Sequence, residues 1–248
     1  MYQVVHSATV VVVLVPVVVL TLVVVHVVVL LSLSIAHIIT TAITDTTRAT
    51  PITTTFMVTT ARALPALQRA KTNGLDITAG TSIHHLTLNE LDVADYRTFF
   101  KVKPPLRSEE DRHAIIEALQ SGLIDTISSM HTPQDEESKR LPFEEAASGA
   151  VGLETLLPAA LRLFHSGEMD LPGLFRALAL NPAKRLGLPC GRLAIGAPAD
   201  LVLFDANQPF VLDRATLKSK SKNTPFDGAR LQGRVLASLV AGKQVFGQ

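Results

Sequence analysis

The sequence predicts an α/β protein: β/α units sharing a parallel sheet, followed by a small all-β unit and preceded by a long apolar segment. Three observations lead there. From Asp45 onward, helical periodicities alternate with short apolar runs, the pattern of strand–helix repeats. After Asn181-Pro182 the texture changes to short apolar runs separated by Gly, Pro, Asn and Asp, as in a β unit. Before Asp45 lies a stretch without a single Asp, Glu, Lys or Arg, built almost wholly from Val, Leu, Ile, Thr and Ser.

Taken in order, Ala61 to Ala70 has apolar residues at helical spacing and stops before the Asn73-Gly74 turn signal. Leu75 to Ala79 reads as a short buried strand, and Thr81 to Tyr96 as a loop with a helical turn around Leu88 to Asp92. Lys103-Pro104-Pro105 cannot lie inside a helix. Ser108 caps the next helix, with Glu109, Glu110 and Asp111 in its first turn and Ile115, Ile116 and Leu119 as its apolar stripe; Gly122 ends it. Leu123 to Ser129 is the following strand. Gly152 to His165 and Leu171 to Leu180 are amphipathic helices. In the β unit the predicted strands are Ala199 to Phe204, Phe210 to Leu212 and Val235 to Val240, with Gly196, Gly228, Gly233 and Gly242 at turns.

The apolar run from Ala8 to about Ile39 is long enough to cross a bilayer, which needs roughly 20 residues. No Lys or Arg precedes it, so it makes a poor signal peptide. The first positive charges, Arg48 and Arg62, follow it, which would leave the globular part cytoplasmic. Two other readings stand beside this. Dense Val favours strand over helix, and an out-of-frame translation or a misplaced start would also produce such a stretch.

With 23 basic against 22 acidic residues, the net charge of +1 gives no electrostatic case for a nucleic-acid partner. One cysteine, Cys190, excludes an internal disulfide and a thiolate metal site, and fits a reducing compartment. Packing is its expected role.

Seven phrases, in order across about 190 residues, carry a family resemblance: HHLTLNE from His84, FFKVKPPLRSEEDR from Phe99, ALQSGLIDTISSMHTPQDEESK from Ala118, LPFEEAASGAVGLETLLP from Leu141, NPAKRLGL from Asn181, GRLAIGAPADLVLFD from Gly191 and NTPFDGARLQGRV from Asn223. Together they resemble the C-terminal part of class I dihydroorotases, metal-dependent amidohydrolases of pyrimidine synthesis. The resemblance implies a TIM-like barrel with two zinc ions and a small β-sandwich made from both chain ends. It divides the chain into an apolar segment (1–44), a linker (45–56), a partial (β/α) barrel (57–187) and a β-sandwich portion (188–248). A complete barrel takes roughly 250 residues, and Phe56 to Gly187 offers about half of that. Open sheet edges and uncovered apolar faces are the expected consequence.

Zinc chemistry of this kind needs imidazole and carboxylate ligands and a carboxylate that moves a proton. The family's His-x-His motif is absent from this sequence. By family position, Met57 stands where a ligand histidine begins its phrase, and Met130 stands where the catalytic aspartate precedes a histidine, here His131. A thioether is a soft, neutral donor and cannot accept the proton. The implied substrate-binding positions are Lys103, where the family has Asn, Gln134, where it has His, and the Ser148-Gly149 turn, whose amides are candidate donors. Arg107 is retained. His84 and His85 are expected to pack or cap, and Glu154 to be a solvated helix cap. The implied reading is a dihydroorotase-like chain without chemistry and without a cofactor of its own. Its expected partners are a second copy in a homodimer or an aspartate transcarbamoylase for which it is a structural partner; a membrane anchor through residues 8–39 is the further alternative.

Overall fold

The computed structural model describes residues 10–13 and 55–247. Three strands form a parallel sheet in the order β2-β3-β4: β2 (Thr55–Met57), β3 (Thr78–Ser82) and β4 (Thr126–Ser128). Just beyond β4, His131 and Ala150 make one further parallel bridge. Helices follow the strands: α1 (Leu64–Thr72) after β2, α2 (Ile83–Thr87) and α3 (Glu109–Gln120) after β3, and α4 (Glu136–Arg140) after β4. Then come α5 (Leu156–His165), α6 (Leu171–Phe175), a wide turn over Arg176–Leu180, and α7 (Asn181–Arg185).

The local chemistry explains these boundaries. Ser108 Oγ accepts the Asp111 amide at the start of α3, as its position before three acids predicts. Asp111 in turn accepts the Ala61 amide at 2.7 Å, joining α3 to the turn before α1. Asp125 accepts from Lys71 Nζ at 2.7 Å and from the Ala79 amide at 2.8 Å, and so aligns β4 with β3 and α1. Within the sheet the residues alternate between two faces. Val58, Ala79 and Ile127 are buried toward the helices, in one core with Ile83, Ile115, Ile124 and Leu161. Thr55, Met57, Thr78, Gly80, Ser82, Thr126 and Ser128 share the opposite face. A Cβ on Gly80 would touch the Thr126 hydroxyl and the Thr55 methyl, which confirms the alignment.

Several sequence expectations change. The strand placed at Leu75–Ala79 begins at Thr78 and runs to Ser82, because Asp76 and its neighbours form the approach to it. The helix expected from Gly152 begins at Leu156. The helical path continues through Asn181-Pro182, since proline sits in the first turn of α7, where its missing N–H costs nothing. The face of the sheet away from the helices is lined by Thr, Ser and Gly with Met57: on the middle strand Thr78, Gly80 and Ser82 are buried, and on the edge strand Thr55 and Met57 are exposed.

The C-terminal unit is one antiparallel sheet, β1-β5-β6-β7, among the described residues, not a two-sheet sandwich. Its strands are β1 (Val10–Val13), β5 (Leu201–Val211), β6 (Arg230–Val240) and β7 (Lys243–Gly247). β5 absorbs two of the predicted strands by shifting register between Asp205 and Pro209. The unit packs on the barrel part through α5 and β6. At Gly233 (φ 103°) any side chain would collide with Leu161 of α5, so only glycine allows the approach. Val10–Val13 pairs antiparallel with Val202–Asp205 as a strand, not as part of a helical span. The rest of the 8–39 run and the 45–54 linker lie outside the described residues. Among the described residues no helix is long and apolar enough to cross a membrane.

Candidate functional site

In a parallel β/α arrangement the chemistry gathers at the C-terminal ends of the strands. Met57 closes β2 opposite Gly80 and is 38% exposed, on the hydroxyl-lined face. Met130 follows β4 and is half-buried, with a left-handed backbone (φ 44°). Both positions are therefore at the mouth, on strands separated by β3.

His131 is better fixed than an isolated polar group. Its Nδ1 accepts the Gly152 amide at 3.1 Å and the Leu153 amide at 3.4 Å. The acceptor role at Nδ1 leaves the proton of the neutral ring on Nε2. Burial lowers its pKa below the usual histidine value, against a smaller opposing pull from Glu154. It lines a shallow surface recess, with no enclosed cavity, together with Val151, Gly152, Leu153, Glu154, Thr155 and Leu217. Glu154 lies before α5 instead of capping it, and its carboxylate accepts the amides of Lys218 and Ser219 at 2.9 Å each.

The remaining candidates converge around Gly149. Its φ of 144° belongs to glycine, and a Cβ there would meet Thr132 O and the Gln134 amide nitrogen. The turn is intact, but the Gly149 N–H is already donated to Lys101 O at 2.9 Å, so it is not a free donor; the Ser148 amide has no acceptor among the described residues. Gln134 is half-buried and its backbone N–H is held by Asn223 Oδ1 at 3.2 Å. Lys103 is two residues past the Lys101 carbonyl, exposed, and precedes the cis peptide to Pro104. Gln134, the Ser148-Gly149 turn and the Lys101 carbonyl are thus brought together, while Lys103 makes no hydrogen bond to them among the described residues.

Two residues at this turn had no place in the sequence reading. Asn223 is buried; its Nδ2 donates to Gly149 O at 3.0 Å and its carbonyl accepts the Val151 amide at 3.0 Å, tying the C-terminal unit to the mouth. Lys139 is 3% exposed and donates to Thr98 O and Lys101 O. The only sequence signal for either was membership in a quoted phrase, because an Asn before Thr-Pro reads as a turn and EESKR reads as a solvated helix.

His84 and His85 both lie buried in α2. The His84 ring stacks on Phe226, its centroid 5.9 Å away, and its Nδ1 is 3.3 Å from Ser82 Oγ. His85 Nε2 is 3.0 Å from Pro105 O. Burial lowers the His84 pKa to about 3, with His85 adding repulsion. Burial lowers His85 to about 4, partly offset by the Pro105 carbonyl. Among the described residues Arg107 has no partner for its buried Nε, and its carbonyl accepts the Glu90 amide. Cys190 is a half-buried free thiol whose pKa burial pushes up, which disfavours the reactive thiolate.

The amidohydrolase family model matches residues 38–245. The chain belongs to the amidohydrolase family. This amidohydrolase is 44% identical over 186 residues to the dihydroorotase of Wolbachia sp. subsp. Drosophila simulans, covering 75% of this chain and 42% of that protein. It is 41% identical over 184 residues to the dihydroorotase of Ehrlichia canis, covering 74% and 41%. The chain spans about two fifths of the length of these relatives. Among solved structures, the L-hydantoinase (dihydropyrimidinase) of Arthrobacter aurescens superposes with a TM-score of 0.74 at 30% identity, over 78% of this chain and 44% of that one. The inactive dihydroorotase-like domain of the Chaetomium thermophilum CAD-like multifunctional protein superposes at 0.62 with 20% identity, over 86% and 56%, a likeness of fold alone.

Amidohydrolases commonly use zinc. The donors at these strand ends do not fit it: Met57 and Met130 offer neutral thioethers, and no three His, Cys, Asp or Glu side chains gather among the described residues.

Proposed function

We propose that this chain is a dihydroorotase-like cyclic amide hydrolase part whose own residues hold the architecture of the site without performing its chemistry. The dihydroorotase relatives support the substrate class, a cyclic amide related to dihydroorotate, and with it a place in pyrimidine synthesis. The observation that carries the loss of chemistry is the pair of methionines at the mouth. A hydrolysis of a ring amide requires a proton acceptor beside the attacked carbonyl. Met130 has no titrating group, and His131, beside it, has Nδ1 committed to two amides and its Nε2 protonated. Neither residue takes the proton without breaking the backbone contacts that define the turn.

A non-catalytic role follows from what is kept. The Gly149 turn, the Asn223 tether and the His131 contacts are all backbone-directed and survive the replacement of charged groups by thioethers. This suits a structural partner that presents a dihydroorotase-like surface to a second copy or to an aspartate transcarbamoylase. The experiment is metal analysis and turnover of the purified full chain. It should carry less than one zinc per chain and neither hydrolyse dihydroorotate nor close carbamoyl aspartate; stoichiometric zinc with turnover overturns the reading. Co-elution with a transcarbamoylase, against self-association alone, separates the two partners.

A further inference from the structure

We propose that Lys139 is a proton-governed clamp that sets how tightly the Thr98–Lys101 turn closes on the Ser148-Gly149 turn. The proposal stands whether or not the chain has chemistry, because it concerns the turn and not the metal positions. Lys139 lies on α4 with 3% of its surface exposed. Its Nζ donates to Thr98 O at 2.8 Å and to Lys101 O at 3.3 Å, and its own carbonyl accepts the Thr98 hydroxyl at 2.6 Å. The Lys101 carbonyl is shared: it also accepts the Gly149 N–H at 2.9 Å, and Gly149 O is held by Asn223. One amine thus bears directly on the carbonyl that seats the mouth turn.

Among the described residues this buried amine has no carboxylate partner. On its own helix, Glu136 and Glu137 pair with Arg140 on the outer side, and Asp135 accepts the Ser138 amide. From the packed turn, Arg97 donates to Asp92 O, while Lys101 directs its ammonium to Phe143 O and Glu144 O. Glu144 and Glu145, on the segment after α4, are exposed. The charge that reaches Lys139 is therefore a like charge, Lys101. Two carbonyls accept from the amine: an ammonium keeps a third N–H and its charge buried without a carboxylate, whereas a neutral amine serves both carbonyls with its two N–H groups and leaves only a lone pair unused. Burial and the Lys101 charge lower its pKa to about 8, so the uncharged form gains ground just above neutrality.

The sign follows. The unfolded chain keeps this lysine protonated to about pH 10.4, so between about 8 and that value the unfolded state binds more protons and closure of the turn strengthens as pH rises. Hydrogen exchange of the full chain reads this at the Gly149 amide. Corrected for its intrinsic pH dependence, protection should rise about tenfold between pH 7 and pH 9.5. In Lys139→Met it should be flat, and in the permanently charged Lys139→Arg low throughout. The same pH slope in Lys139→Met overturns the proposal. Should either variant fail to fold, ¹³C-lysine labelling of the unaltered chain decides: a Lys139 Cε titration centred near 8 supports the clamp, and one at the ordinary lysine value refutes it.

Discussion

The two faces of the parallel sheet are built on different terms, although they come from the same three strands. Toward the helices stand Val58, Ala79 and Ile127, all buried; toward the opening stand Thr55, Met57, Thr78, Gly80, Thr126 and Ser128. Alternation along a strand lets one face evolve almost independently of the other. Met57 stands on the face opposite Val58, Ala79 and Ile127, the residues that hold the sheet to its helices. A side chain at that exposed strand end can therefore change while the apolar core on the helix side keeps its packing.

The largest test of this division is acid. The helix side contains two neutral imidazoles, His84 and His85, whose pKa values are depressed to about 3 and about 4. Unfolding frees both to bind protons near the ordinary value of about 6.5. Stability should hold above that value and fall as pH drops toward 4, by roughly 5 kcal/mol for the pair. Urea denaturation at pH 7 and pH 4.5 measures it. A His84→Gln, His85→Gln double variant should lose most of this slope; an unchanged slope would place the acid-sensitive groups elsewhere and break the contrast.

A smaller effect compares neighbours in one strand. Ile127→Ala should cost about 2–5 kcal/mol, as expected for a buried isoleucine. Thr126→Ala, one residue away and half-buried on the other face, should stay within about 1 kcal/mol. Equal losses in the denaturation midpoints would show that the opening side is packed after all.

The same division decides what the sequence made legible. The helix after Ser108 was readable because cap, acids and apolar stripe agree on one period, and the β/α alternation gave the sheet. β3 was misplaced because Thr78–Ser82 reads TAGTS: every residue is buried, yet none is a large apolar side chain, so no hydrophobic pattern marks it. The methionines at the mouth were found by family position, a signal independent of burial. The Gly149 turn was readable as a turn, but the Lys101 carbonyl that occupies its amide comes from 48 residues away, Lys139 donates to that carbonyl, and Asn223 donates to Gly149 O. Contacts of that span leave no local periodicity, and a buried lysine held by carbonyls contradicts the ordinary expectation for its type.

The smallest expected effect concerns Met130, where backbone and side chain disagree. Its φ of 44° is left-handed, a conformation in which Asn and Asp are several-fold enriched and an ordinary side chain crowds the following carbonyl. An Asn or Asp side chain suits that backbone better than methionine does, so side chain and backbone are mismatched at this strand end. Met130→Asn, which restores tolerance without adding charge, should raise the thermal midpoint by an amount equivalent to about 1 kcal/mol. Met130→Asp should do nearly the same above the pKa of the carboxylate. A loss of stability in both variants would mean that the thioether packs at the mouth strongly enough to outweigh the strain, and the opening side would then have acquired a packing role of its own.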